Sequence, residues 1–161
     1  GAPFDEFPES GWDKVMDINV KSLFFLTQQL APMMRASATP EQPAKVINIA
    51  STDGLSNSRI ETYSYSASKA AVIHLTRRLA NRLAEDNIRV NAIAPGAFAS
   101  NMNIWARDNP EGVAPRIPAK RIGKPDDIAG TAVYMCSRAG DFLLGATIPL
   151  DGGTVYGTLQ G

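Results

Sequence analysis

The chain has 161 residues and 17.3 kDa, with 16 basic and 16 acidic side chains and a formal net charge of zero. A length near 150 suits one domain with a substantial core, and 44% hydrophobic against 20% charged residues is a globular balance rather than a disordered one. Neutral charge removes the electrostatic footprint of a nucleic-acid binder, and no run of about 18 apolar residues offers a membrane span. One cysteine, Cys136, excludes an internal disulfide framework, and one histidine, His74, leaves too few soft ligands for a zinc site. The composition therefore predicts a cytoplasmic enzyme or binding domain with no metal, nucleic-acid or membrane partner. The start, Gly1-Ala2-Pro3-Phe4, carries neither an initiator Met nor a secretory signal, and reads as a cut inside a longer chain or a processed start.

Ser10-Gly11-Trp12-Asp13 opens a first helical stretch, in which Val15, Ile18, Leu23, Leu26 and Leu30 recur at helical spacing as far as Pro32. Residues 36–43 are polar and proline-bearing, a surface loop. Residues 45–51 are short and β-branched, a strand. A long helix is predicted from about 65 to 84, with Ala71, Leu75, Leu79 and Leu83 as its apolar stripe and Arg77, Arg78 and Arg82 as a solvated face or subunit interface. His74 on this helix reads as packed or interfacial. A second strand over 88–94 is stopped by Pro95-Gly96.

Residues 98–123 have little periodicity, and a segment that long inside a compact domain is a functional lid or a poorly ordered loop. Within it Met102, Ile104 and Trp105 form an apolar cluster that suits either a substrate cover or a loop docked on its own domain. Lys124-Pro125-Asp126-Asp127-Ile128 opens a third helix, with Pro in the first turn and two acids at the positive end of the dipole. Cys136 near its end reads as a buried small hydrophobe. Thr147-Ile148-Pro149-Leu150 is a third strand, closed by Asp151-Gly152-Gly153. Strands alternating with helices predict parallel pairing and right-handed crossovers in an open α/β sheet. Three strands leave an edge unpaired, so the expectation is one portion of a doubly wound sheet.

In such a sheet ligands sit beyond the carboxyl ends of the strands, which here are Ser51 and Pro95-Gly96. Tyr65 and Lys69, four apart, share one face of the long helix and can project into the same crevice. Lowering a phenol pKa by about 3 units takes roughly 4 kcal/mol. A lysine about 4 Å away, at an effective dielectric near 20, supplies on the order of 4 kcal/mol. That pairing predicts Tyr65 as general acid for a ketone, Lys69 as its tuner, and Ser51 as the group that holds the substrate oxygen.

The order Asn19 in Asp17-Ile18-Asn19-Val20, Ser51, Tyr65-Ser66-Ala67-Ser68-Lys69, Asn91-Ala92-Ile93-Ala94-Pro95-Gly96, Arg121-Ile122-Gly123-Lys124-Pro125 and Asp151-Gly152-Gly153 resembles the short-chain dehydrogenase/reductase family. Its texture is most similar to 3-oxoacyl reductases of the rhamnolipid-biosynthesis type. The resemblance implies a Rossmann-like doubly wound parallel sheet, of which residues 1–161 are the C-terminal part of a single domain, with a lid at about 98–123. It implies a catalytic tetrad of Asn19, Ser51, Tyr65 and Lys69, with Asn19 holding a water that links Lys69 to solvent. It also implies a nicotinamide nucleotide, NADP or NAD with NADP favoured, contacted by Tyr65, Lys69, Pro95, Gly96, Phe98 and Ser100. The substrate would be a small carbonyl or alcohol compound, and the assembly a homodimer or homotetramer packed through the helices over 10–32 and 65–84. Phe98 and Ser100 depart from a small aliphatic residue and a Thr, respectively, in the family pattern. The family's Gly-rich T-G-x-x-x-G-x-G turn, which lets backbone approach the phosphates, is not in this sequence, so the N-terminal nucleotide-binding half is missing and the 161 residues alone are expected to be inactive.

Simpler readings stand beside these. Tyr65 over a lysine stem also occurs as a surface pair, Ser51 as a strand-end cap, Asn19 as a solvent-facing residue, and Pro95-Gly96 as a plain turn. A non-catalytic remnant that acts only as an oligomerisation or interaction module is the alternative to the oxidoreductase.

Overall fold

The computed structural model describes residues 2–57 and 60–157. Three parallel strands, β1 (Ala44–Ile49), β2 (Ile88–Pro95) and β3 (Thr147–Leu150), form one sheet in the order β1-β2-β3. Ala44 to Ile49 pair in register with Ile88 to Ile93, and Ala92 to Pro95 with Thr147 to Leu150. The α/β class and parallel sheet therefore match the expectation. β2 is central and nearly continuous in burial from Ile88 to Ala94, as a strand covered on both faces must be. Among the described residues β1 pairs with β2 alone, and Ile49 at its end is exposed.

Helices α1 (Glu9–Met16) and α2 (Ser22–Ser37) are one run, joined by a π-helical turn over Asp17–Lys21. The run does not stop at Pro32, as the sequence suggests: it continues to Ser37 with Pro32 inside it. Buried Ala31, and Met34 packed beside Ala80, Leu83, Ile88 and Val90, hold the last turns to the core and outweigh the lost hydrogen bond. The long helix α3 (Tyr63–Leu83) begins two residues before its expected start. Its buried face is Ser64, Ser68, Val72, Thr76 and Ala80, with Lys69, Ile73 and Leu83, so the predicted stripe is rotated. Ala71, Leu75 and Leu79 sit at its half-buried margin. Small residues let α3 lie close to the sheet, where Thr76 donates to the Val72 carbonyl at 2.8 Å and accepts from Asn48 Nδ2 of β1 at 2.9 Å. His74, Arg77, Arg78 and Arg82 are exposed.

Residues 98–123 are ordered as short pieces: α4 (Ile104–Asp108), α5 (Pro110–Val113) and a 3-10 turn at Ala114–Arg116. They have their own small core of Ala106, Val113 and Ile117. Met102, Ile104 and Trp105 face outward, with the Arg116 guanidinium 5.2 Å from the Trp105 ring. The two ends of the segment are clipped together by a parallel bridge between Phe98 and Gly123, and Gly123 N donates to the Ala97 carbonyl at 2.9 Å. A side chain at 123 would run into the Phe98 ring edge, so the ring would have to turn aside to admit one.

Helix α6 (Pro125–Cys136) starts where Asp127 accepts from its own N-cap amide, Lys124 N, at 2.8 Å and from both Arg121 nitrogens at 2.6 and 2.9 Å. Those bonds, Arg121 foremost, hold the Asp127 pKa down from 3.8 to about 2. A depressed carboxylate stabilises the fold above its unfolded pKa, and this contribution is lost as pH falls through the folded value. Asp127→Asn therefore lowers the melting midpoint at neutral pH, and its gap to the parent chain closes as pH falls from about 4 towards 2. Thermal scans across that range check it; a gap constant with pH would contradict the ion pair's role. Cys136, at the end of α6, is exposed, contrary to the buried position expected from its apolar neighbours. It follows buried Met135 by one residue, about 100° further around the helix. Among the described residues no helix is long and apolar enough to cross a membrane, and no group of three or more His, Cys, Asp or Glu could hold a metal ion.

Candidate active site

Ser51 lies just beyond β1, buried, in extended backbone, and its Oγ accepts from Asp53 N at 3.2 Å as the cap of a 3-10 turn at Thr52–Gly54. That turn presses on α3. A Cβ on Gly54 would lie 2.6 Å from the Lys69 carbonyl carbon and 2.7 Å from Ala70 N. The contact fixes the strand end against the helix that carries Tyr65 and Lys69. Thr52 Oγ1 reaches the Pro95 carbonyl at 3.4 Å, tying in the end of β2.

Tyr65 is half-buried in the first turns of α3, and Lys69 is buried one turn later. Lys69 Nζ is 5.5 Å from the centroid of the Tyr65 ring and donates to the Ile49 carbonyl at 2.9 Å. An ammonium has three N–H groups, and among the described residues that carbonyl takes one, so two remain for other acceptors. Burial lowers the Lys69 pKa. Burial also raises the Tyr65 pKa; a hydrogen bond from Ser51 offsets part of this, and the charge of Asp53 adds to it. The phenol is thus pushed up rather than down, the reverse of what the Tyr65–Lys69 spacing predicts. Lys69 lies 5.5 Å from the ring centroid with its ammonium bonded to the Ile49 carbonyl, and desolvation of the phenol is the largest cause of the shift.

Asn19 arrives from the π-helical turn, 49 residues away in sequence from its partner. Its Nδ2 donates to Ser68 Oγ at 2.9 Å, and Ser68 Oγ donates to the Tyr65 carbonyl at 2.7 Å. Because the single Ser68 proton is committed to that carbonyl, its oxygen must accept from Asn19, which fixes the direction of the amide. Asn19, Ser51, Tyr65 and Lys69 are therefore gathered around the N-terminal turns of α3. Sequence reasoning missed two residues here. The spacing within Tyr65-Ser66-Ala67-Ser68-Lys69 carried the signal for Ser68, a buried hydroxyl that reads as filler. Asp53, two residues after Ser51, is the other.

The other sequence-predicted contacts have structural partners of their own. Gly96 N donates to the Leu150 carbonyl at 3.0 Å, and a Cβ there would meet Asp151 Cβ at 2.7 Å. Asp151 in turn accepts from Gly153 N at 2.8 Å and Val155 N at 2.7 Å, so Pro95-Gly96 and Asp151-Gly152-Gly153 lock together. Phe98 clips the 98–123 segment shut. Ser100 is exposed and accepts from Asn103 N at 3.0 Å, which leaves its hydroxyl proton to donate elsewhere.

A family described as "Enoyl-(Acyl carrier protein) reductase" matches residues 1–155. The chain is 43% identical over 156 residues to the rhamnolipids biosynthesis 3-oxoacyl-[acyl-carrier-protein] reductase of Pseudomonas aeruginosa, covering 95% of this chain and 61% of that protein. It is 45% identical over 151 residues to 2-dehydro-3-deoxy-D-gluconate 5-dehydrogenase of Dickeya dadantii, covering 92% and 58%. The structure of a Pseudomonas aeruginosa RhlG/NADP active-site complex superposes with a TM-score of 0.91 at 43% identity, over 96% of this chain and 62% of the other. The chain thus spans about three-fifths of the length of these relatives. With the family match running over residues 1–155 and the chain superposing on a relative of 43% identity, the chain belongs to the short-chain dehydrogenase/reductase family.

Proposed function

We infer that these residues are the reacting portion of an NAD(P)-dependent oxidoreductase that interconverts a ketone and a secondary alcohol, with a 3-oxoacyl compound as the leading substrate. The observation that carries this reading is the convergence of Ser51, Tyr65 and Lys69 at the end of β1. A nicotinamide nucleotide, when bound, supplies the hydride. NADP is favoured because relatives such as the Pseudomonas aeruginosa protein are solved with it. Lys69 suits one end of that nucleotide: its two remaining N–H groups can take ribose hydroxyls. The chain holds no Gly-rich turn for the pyrophosphate, so residues 1–161 act as the C-terminal part of one domain and do not turn over alone.

Ser51 donates a hydrogen bond to the substrate oxygen and orients it. Tyr65 gives that oxygen its proton as the alcohol forms, and Lys69, linked to solvent through a water that Asn19 would hold, returns a proton to the phenolate. The Phe98 backbone and the Ser100 hydroxyl would hold the nicotinamide carboxamide, with Pro95 and Gly96 beside them. The 98–123 segment covers the substrate with Met102, Ile104 and Trp105. Exposed Phe25, Leu26, Leu30 and Met33 on α2 support the homodimer or homotetramer reading.

The test is turnover of a 3-oxo ester with NADPH by the full-length protein, and its response to Lys69→Ala. That variant loses the proton return and the ribose contact together. kcat falls by about 10²-fold or more, and KM for the nucleotide rises in parallel. A fall in kcat at unchanged nucleotide KM would remove the ribose contact from Lys69. A folded protein with no turnover of any ketone would favour the interaction-module reading.

A further inference from the structure

One hydroxyl of the site has no task in this mechanism. Ser68 is fully buried on α3, between Tyr65 and Lys69 in sequence. Its Oγ donates to the Tyr65 carbonyl at 2.7 Å and accepts from Asn19 Nδ2 at 2.9 Å. The backbone of the π-helical turn does not depend on that bond, because Val20 and Leu23 pack on the core of Ala50, Val72, Ile73, Ala92 and Ala94. What the bond settles is which end of the Asn19 amide faces α3. A carboxamide has two ends of nearly equal size, one a donor and one an acceptor, and only a hydrogen-bond partner tells them apart. Ser68 has a single proton, committed to the Tyr65 carbonyl, so towards Asn19 it can only accept, and it takes the NH2 end. Asn19 Oδ1 is thereby turned away from Ser68. Among the described residues it has no protein partner, and it is not buried, so it is open to water.

We propose that Ser68 is a positioning residue for proton return: by holding the NH2 end of Asn19, it keeps Oδ1 as the acceptor that anchors the water serving Lys69. The inference rests on the reading of Tyr65 as the proton donor and of Asn19 as the holder of that water. Lys69 gives one proton to the phenolate and takes one from the water, which is restored from bulk solvent, so each turnover draws one solvent proton. For this the water must aim an O–H at the amine. A water that gives its other O–H to Asn19 Oδ1 is oriented to do so. A flipped amide would instead donate to the water oxygen and occupy the lone pair that receives the solvent proton. Ser68 is shut off from solvent by its burial, so it acts on this step through Asn19 alone.

The experiment measures kcat for ketone reduction and KM for NADPH in the full-length protein, as parent, Ser68→Ala, Asn19→Ala and the double variant. Imidazole buffer is varied at constant pH and ionic strength. Ser68→Ala lowers kcat by about tenfold and leaves the nucleotide KM within about twofold. In the Asn19→Ala background the same substitution lowers kcat by less than about twofold further, because the residue it acts through is gone. Imidazolium restores part of the Ser68→Ala rate in proportion to its concentration and leaves the parent unmoved, since a small acid returns the proton that a misaimed water cannot. A merely loosened helix does not respond to buffer. Ser68→Cys, which nearly keeps the volume but accepts weakly, provides the same comparison if the Ala variant does not fold. A Ser68→Ala kcat equal to the parent's, losses that multiply in the double variant, or a rate blind to buffer overturns the proposal. Full turnover in Tyr65→Phe would instead overturn the catalytic reading beneath it.

Discussion

Tyr65→Phe abolishes carbonyl reduction in the full-length protein, by a factor on the order of 10³, while nucleotide affinity stays within about twofold. The substitution removes one oxygen and its proton and keeps the ring that packs above Lys69. Binding that depends on shape survives, and the step that needs a proton at the substrate oxygen does not. Steady-state kinetics with a fluorescence titration of NADPH checks both halves. Because burial raises the phenol above its ordinary value of 10.0, the parent keeps the acid form through neutral pH. Reduction should hold across that range and fall only towards alkaline pH. Alcohol oxidation, which needs the phenolate, should rise with pH over the same window. A Phe variant with substantial turnover would remove Tyr65 from the chemistry.

Gly54→Ala is the largest expected loss of stability. Its new methyl would sit 2.6–2.7 Å from three backbone atoms of Lys69 and Ala70, in the middle of a helix that cannot yield. A cost of about 3 kcal/mol follows from overpacking against backbone. For a domain of this size that lowers Tm by roughly 6–12 °C. Gly130, by contrast, lies inside α6, and a Cβ added there would meet nothing within 4 Å. Gly130→Ala should therefore stabilise by about 0.5–1 kcal/mol, through helix propensity alone. Thermal melts of the two variants, side by side, separate steric contact from propensity. A Gly54→Ala chain that melts like its parent would mean the turn does not bear on α3.

The strands were the most legible part of the sequence. Val46-Ile47-Asn48-Ile49 and Val90-Asn91-Ala92-Ile93 are β-branched runs closed by turn residues, and their parallel pairing follows from the helices between them. The buried face of α3 was not legible, because hydroxyl residues occupy it. Ser68 and Thr76 read as surface residues until their partners, Tyr65 O with Asn19 and Val72 O with Asn48, are seen. Helices α4 and α5 are too short to show a period. At the candidate site, spacing alone brought Tyr65 and Lys69 to one helix face and Ser51 to a strand end. The sign of the Tyr65 shift follows from the burial of its phenol, and no spacing encodes that.

The π-helical turn at Asp17–Lys21 has a consequence for how such a chain tolerates change in length. A wider turn accommodates one more residue than an α-turn, so it sets the angular phase of the residues within it. Removing any one residue from 17–21 would let the turn relax to regular α-helix. The helices on either side would keep nearly their phase, while the residues within 17–21 would turn to new positions around the axis. The deletion could spare Asn19 itself and still aim its amide away from Ser68. At this turn, chain length is as much a part of the site as any side chain, and an insertion or deletion is the change that composition-preserving drift can least absorb.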